Sequence, residues 1–168
     1  MIRLAKFARA LMFGALITAQ PAIAAYDFPQ PKSDVILTIV PLGSDTPIKL
    51  DRVGLGGLPR DSFTTSTIWT AGVSEFEGVR ISVLLDALGV RSGTIKFMAV
   101  NDYAIDIPVA DLLENDPIIA EKVDGEYMSL REKGPLWLIY PYDTAAKFQT
   151  SVIYSRSIWQ LDRMQVLE

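Results

Sequence analysis

The chain has 168 residues, with 16 Lys and Arg against 20 Asp and Glu, and contains neither cysteine nor histidine. Those two absences exclude disulfides, Cys or His zinc centres, a cysteine nucleophile, a Ser-His-Asp relay and an imidazole acid or base near neutral pH. Any chemistry has to come from carboxylates, hydroxyls, Lys, Arg or a bound cofactor.

The chain opens on a basic head, Arg3, Lys6 and Arg9, followed by "ALMFGALITAQ", an apolar stretch shorter than the roughly 20 residues that span a bilayer. "AIA" at residues 22–24 supplies the small side chains a signal peptidase accepts. Residues 1–24 therefore read as a signal peptide. Residues 25–168 read as one domain, secreted or periplasmic, with no stable membrane span after processing. Without the three leader cations, 13 basic residues face 20 acidic ones, a net of −7 with no basic run, which argues against a nucleic-acid partner.

"YDFPQPKSD", residues 26–34, has two prolines and no apolar period and reads as an extended arm. "VILTIV" is a β-branched run that predicts a buried strand, and "IKLD" returns beside it as a hairpin. "RVGLGGLPRD" has three glycines but neither phosphate-loop spacing, so it reads as a turn holding at most a single helical turn. "FTTSTIWT" predicts a strand, broken by "GVSEFEG", which places Glu75 and Glu77 in a loop. "VRISVLLDALGV" predicts a short helix on a Val79, Val83, Leu84, Leu88 stripe, with Ser82 as N-cap and Gly89 as the left-handed stop. "TIKFMAV" and "NDYAIDIP" predict two strands joined by a tight turn at Asn101 and Asp102, and "VADLLEND" one or two helical turns. "PIIAEKVDGEYMSL" predicts a hairpin at "DGE", "GPLWLIYP" a central strand and "SIWQLDRMQVL" a closing strand of imperfect alternation. Strands dominate and helices are short, which gives an α+β class with a mixed or mainly antiparallel sheet rather than a doubly wound one.

From about residue 64 onward, ordered motifs carry a likeness. "FEGVRISVLLDALGV" is followed by "VNDYAIDIP", then "IIAEKVDGEYMSLREKGPLWLIYP", then a closing strand "IWQLDRMQV". In this order and at these spacings the chain resembles the molybdopterin-binding domain of the sulfite oxidase superfamily. The resemblance implies that domain's fold, with mixed β-sheets and short helices. It also implies a cofactor cleft bordered by the "TTSTIWTAG" stretch and by the turn at Asn101, Asp102 and Tyr103.

Two departures accompany the likeness. Catalytic members of that family give the molybdenum a cysteine thiolate where this chain has only the hydroxyls of "TTST" and Trp69, and Trp137 stands at or next to the position of the family's arginine. A hydroxyl ligand, Ser66 or Thr67, is the chemical alternative, because oxidised molybdenum accepts an alkoxide; the other reading of these residues is ordinary strand propensity. The candidate pocket therefore comprises Ser66, Thr67, Trp69, Asn101, Asp102, Tyr103, Trp137 and Arg156. Tyr140, Tyr142, Tyr154 and Trp159 are aromatic companions and Lys147 a second cation. Asp111, Glu114 and Asp116 read as solvated surface charge.

These observations lead to an expectation of a non-catalytic module that binds a small molecule or a periplasmic protein, with no metal, no catalytic residue and no cofactor, molybdopterin being open only through the resemblance. The alternative is a molybdopterin-dependent oxidoreductase with unconventional metal ligation. A third reading is a structural partner in an envelope complex.

Overall fold

The computed structural model describes residues 26–168, and the leader reading lies outside them. The two β-branched runs near the start form the expected hairpin, β1 (Leu37–Val40) and β2 (Ile48–Leu50). A five-residue helix follows, α1 (Arg52–Gly56), with Asp51 as its N-cap accepting from Gly54 N at 2.8 Å. The other oxygen of Asp51 accepts from the backbone N–H groups of Lys32 and Ser33 and from the Ser33 hydroxyl, at 2.8 to 3.1 Å. One buried carboxylate thus fastens the proline-rich arm to the start of a helix.

The next segment corrects the sequence reading. β3 (Arg60–Ser66) ends before Trp69, and "VSEFEGVR" is not a break but a full strand, β4 (Val73–Arg80), paired with β3 along its whole length. Glu75 and Glu77 are therefore strand residues. Gly78 is required where β4 meets its other neighbour: a Cβ there would lie 1.9 Å from the Ile119 carbonyl oxygen. The helix α2 (Ile81–Ala87) buries Ile81, Leu84 and Leu85, while Val79 belongs to β4. Ser82 does not cap it; the residue in the N-cap place is Arg80, and the Ser82 N–H is taken by Asp116 Oδ1 at 3.0 Å. Gly89, at φ +70°, ends the helix as expected, with Val90 N donating to Leu85 O.

β5 (Thr94–Ala99) and β6 (Ala104–Pro108) form the second hairpin, with Asp102 left-handed at φ +64° in its turn. After α3 (Val109–Asn115), β7 (Ile118–Val123) and β8 (Glu126–Tyr127) turn at Asp124 and Gly125. β9 (Leu136–Ile139) is central, with all four residues at 1% exposure or less. An apolar run buried on both faces explains why it shows no alternation. The chain then makes two 3-10 turns (Tyr142–Thr144 and Ala146–Phe148) and a helix, α4 (Ser151–Arg156), none of which the sequence pattern indicates.

β10 (Trp159–Leu167) ties the sheet together. It carries β5 along one edge; along the other it pairs with β9 near its start and, parallel, with β1 further on. The exchange of partners falls at a register shift between Leu161 and Arg163. The main path runs β2-β1-β10-β9-β7-β4-β3, antiparallel except at β1 and β10, so the class is the α+β mixed sheet expected. Among the described residues no helix is long and apolar enough to cross a membrane.

Candidate functional site

The site begins where β3 stops. Thr67 Oγ1 accepts from the backbone N–H groups of Trp69 and Thr70, at 3.0 and 2.9 Å, and lies 2.7 Å from Thr70 Oγ1. A threonine hydroxyl that satisfies two backbone donors fixes a turn, and this turn delivers the Trp69 indole onto the end of the sheet. There it meets four other rings edge-on: Trp159 at 5.3 Å, Tyr154 at 5.7 Å, Trp137 at 5.9 Å and Tyr142 at 6.2 Å between centroids. Edge-to-face contacts of this kind are the favourable geometry for aromatic quadrupoles.

Ser66 is occupied in a different way. Its backbone N–H and its hydroxyl each donate to Asp143 at 2.6 Å, and Asp143 N donates in turn to Thr65 Oγ1 at 3.2 Å. The Ser66 hydroxyl and N–H hold the Asp143 carboxyl below the usual carboxylate range. Both hydroxyls that could stand in for a metal thiolate therefore already serve the local backbone and Asp143.

A cavity of about 330 Å³ opens beside Trp69, walled by Trp69, Tyr103, Tyr154 and Trp159 and completed by Ala99, Asn101, Ser155, Ser157 and Ile158. Tyr103 is anchored by its hydroxyl, which donates to Ser155 O at 3.1 Å, and its N–H is received by Asn101 Oδ1 at 3.2 Å. The Ser155 and Ser157 hydroxyls each donate to helix carbonyls, Val152 O and Ile153 O, at 2.8 Å. Below the cavity Tyr142 donates to Ser157 Oγ and Trp137 Nε1 donates to Ser157 O. Burial raises the Tyr142 phenol above its ordinary pKa, which keeps it a neutral donor.

The predicted residues thus fall into separate places. Trp69, Asn101 and Tyr103 line the cavity just described, while Trp137, 1% exposed, packs behind Trp69 and lines a separate cavity of about 390 Å³ with Thr70, Arg131 and Lys133. Ser66 and Thr67 line a smaller neighbouring cavity of about 170 Å³, which shares Tyr154 with the one beside Trp69. Asp102 points away to Arg163, 2.9 Å distant, and Arg156 is paired with Asp111 at 2.7 Å. Lys147 stands 3.9 Å from Glu114. Tyr154 and Trp159 belong to the set by their aromatic type; Ser155 and Ser157 arrive through α4, which left no periodic signal in the sequence.

Residues 56–152 match the family described as the oxidoreductase molybdopterin binding domain. The fold is similar to the crystal structure of the sulfane dehydrogenase SoxCD from Paracoccus pantotrophus, with a TM-score of 0.59 and 19% identity over 83% of this chain. This chain spans only 39% of that chain's length. No curated protein sequence matches it.

The cavity beside Trp69 offers neither a thiolate nor a counter-ion to the cofactor that the family name implies. A molybdopterin is anionic and calls for cationic or backbone N–H partners. The chain has no cysteine, no charged side chain lines the cavity beside Trp69, and among the described residues no group of three or more acidic side chains is placed to hold a metal; the cations nearest Trp137, Arg131 and Lys133, line the separate cavity of about 390 Å³.

Proposed function

This chain belongs to the oxidoreductase molybdopterin binding domain family, and we propose that it uses that fold as a non-catalytic binding module whose aromatic cleft takes a small molecule. The observation that carries the reading is the commitment of the β3 end. Ser66 donates to Asp143 and Thr67 caps the Trp69 turn, so both hydroxyls are tied into local structure and no thiolate stands beside them. Trp69 fills the space beside them with an apolar ring.

The chemistry of the cleft supports binding over turnover. Its polar groups are an amide, hydroxyls and backbone atoms, with no carboxylate, Lys or Arg in the lining. A half-buried aromatic cavity with a few polar groups is the ordinary form of a ligand site. The basic head and short apolar stretch of residues 1–24 support an exported setting, which puts a periplasmic small molecule, or a protein that presents one, within reach of the cleft.

Metal analysis and pterin fluorescence on protein purified from its native host test this reading. The expected result is neither molybdenum nor pterin at stoichiometric levels, with a small-molecule screen by thermal shift yielding binders. Stoichiometric molybdenum would overturn it.

A further inference from the structure

Four aromatic side chains from separate parts of the chain, Trp69 from the turn after β3, Tyr103 from the β5–β6 turn, Tyr154 from α4 and Trp159 from β10, wall one cavity. The Trp69 ring is parallel to neither of the two rings it touches in this wall. Trp69 stands at 87° to Tyr154 and at 71° to Trp159. Parallel rings would form a slot selecting a flat heterocycle, which stacks on two faces at once. Rings set close to perpendicular form a corner, which suits a rounded group that touches several faces together.

Charge narrows the choice further. No charged residue lines the cavity, and the nearby cations Arg156 and Arg163 are each held by carboxylates, Asp111 in one case and Asp102 and Asp162 in the other. An anionic group would find no counter-ion there. A rounded cation finds the negative faces of the rings, in a protein whose residues beyond the leader carry a net negative charge. The walls are fixed beforehand: Tyr103 through Ser155 O, Trp69 by its turn and by Trp137 behind it. A preformed site loses little freedom on binding. Asn101, whose side-chain oxygen is used by Tyr103 N, keeps its amide N–H groups for a polar tail on the ligand.

We infer that the cleft is an aromatic cage for an alkylated ammonium head, a trimethylammonium or close relative carrying a short polar tail. This rests on the proposed role of the cleft as a ligand site and adds the ligand's class.

The test uses the folded full domain and three probes, followed by tryptophan emission and calorimetry: choline, its neutral carbon isostere 3,3-dimethylbutan-1-ol, and indole as a flat neutral ring. Choline is expected to bind about tenfold more tightly than its isostere, because only the charge differs. Tyr103→Leu, at an exposed position where folding is not at stake, and Trp159→Leu are each expected to weaken choline by about fivefold or more, while Trp159→Phe retains most of the affinity. Equal binding of choline and its isostere, or choline binding unmoved by both leucine variants, would overturn the inference. Indole or the isostere binding where choline does not would sink the cationic cage and leave the cleft a ligand site. Silence from all three probes would count against both.

Discussion

Asp143 receives two hydrogen bonds of 2.6 Å from one residue, Ser66, through its backbone N–H and its hydroxyl. This contact joins the last residue of β3 to the 3-10 turn that follows β9. It uses both donors of one of the two hydroxyl residues, Ser66 and Thr67, that the sequence offers in place of a thiolate. A serine engaged by a carboxylate at both of its donors is a structural clasp.

Breaking the clasp is expected to loosen the Trp69 turn without unfolding the sheet. Ser66→Ala and Asp143→Asn should each lower the melting temperature modestly and raise amide exchange at residues 66–70, measured by hydrogen exchange. Because hydrogen bonding holds the Asp143 carboxyl below its ordinary pKa, its contribution is present above the unfolded carboxylate range and declines as pH falls through the folded value. The gap between wild type and Asp143→Asn should therefore close in acid.

Asp51 gives a sharper acid signature. The backbone N–H groups of Gly54 and Lys32 lower it from 3.8 to about 2. The folded pKa is the lower one, so the stabilisation is complete above 3.8 and is lost as pH falls toward about 2. Asp51→Asn should melt several degrees below wild type at pH 6, with the two curves converging below pH 2. A gap that stays constant from pH 6 to 2 would show that the carboxylate's charge plays no part.

Glu121 is 1% exposed and is held by Arg60, whose Nη1 lies 2.7 Å from its Oε1, while Arg52 approaches to 3.6 Å. Arg60→Ala should cost about 3 kcal/mol in denaturant unfolding, since it leaves a buried carboxylate short of its close partner. Combining it with Glu121→Leu should restore most of that loss, because the uncompensated charge is then gone. Failure of the double variant to recover would mean that Arg60 acts chiefly through Glu77, its other partner at 2.8 Å.

Gly78→Ala meets backbone, not a flexible side chain. With a Cβ 1.9 Å from Ile119 O, β4 and β7 must separate locally, and about 3 kcal/mol of stability is expected to go. Gly125→Ala, where nothing lies within 4 Å, should cost less and only through its φ of +83°. Urea midpoints for the two variants check the ordering.

Much of the sheet was legible because its strands announce themselves. β9 is an unbroken apolar run, β1 an apolar run interrupted only by Thr38, and β5 and β6 alternate apolar with polar residues on either side of Asn101 and Asp102. β4 hid because its inward positions are Ser74, Phe76 and Gly78, so only one of them is a large apolar residue, and the outward glutamates suggest a loop. The stretch after β9 hid for a related reason: its buried anchors Tyr142, Phe148 and Ile153 follow no helical period. The aromatic members of the cleft were visible by residue type. Their convergence was not, because it depends on the Thr67 turn and on α4. The separation of Ser66 and Thr67 from Asn101 and Tyr103 likewise belongs to tertiary geometry.

Since β10 supplies an edge to β1, β5 and β9, a ribosome must deliver residues 159–167 before any of those three can finish its ladder. A chain stopped at residue 158 would hold the β1–β2 hairpin, the β5–β6 hairpin and the sheet from β3 to β9 through β4 and β7 as separate pieces with bare rims, open to chaperones and to proteases. Assembly of this domain is in that sense deferred to β10, the strand that holds its separate pieces together.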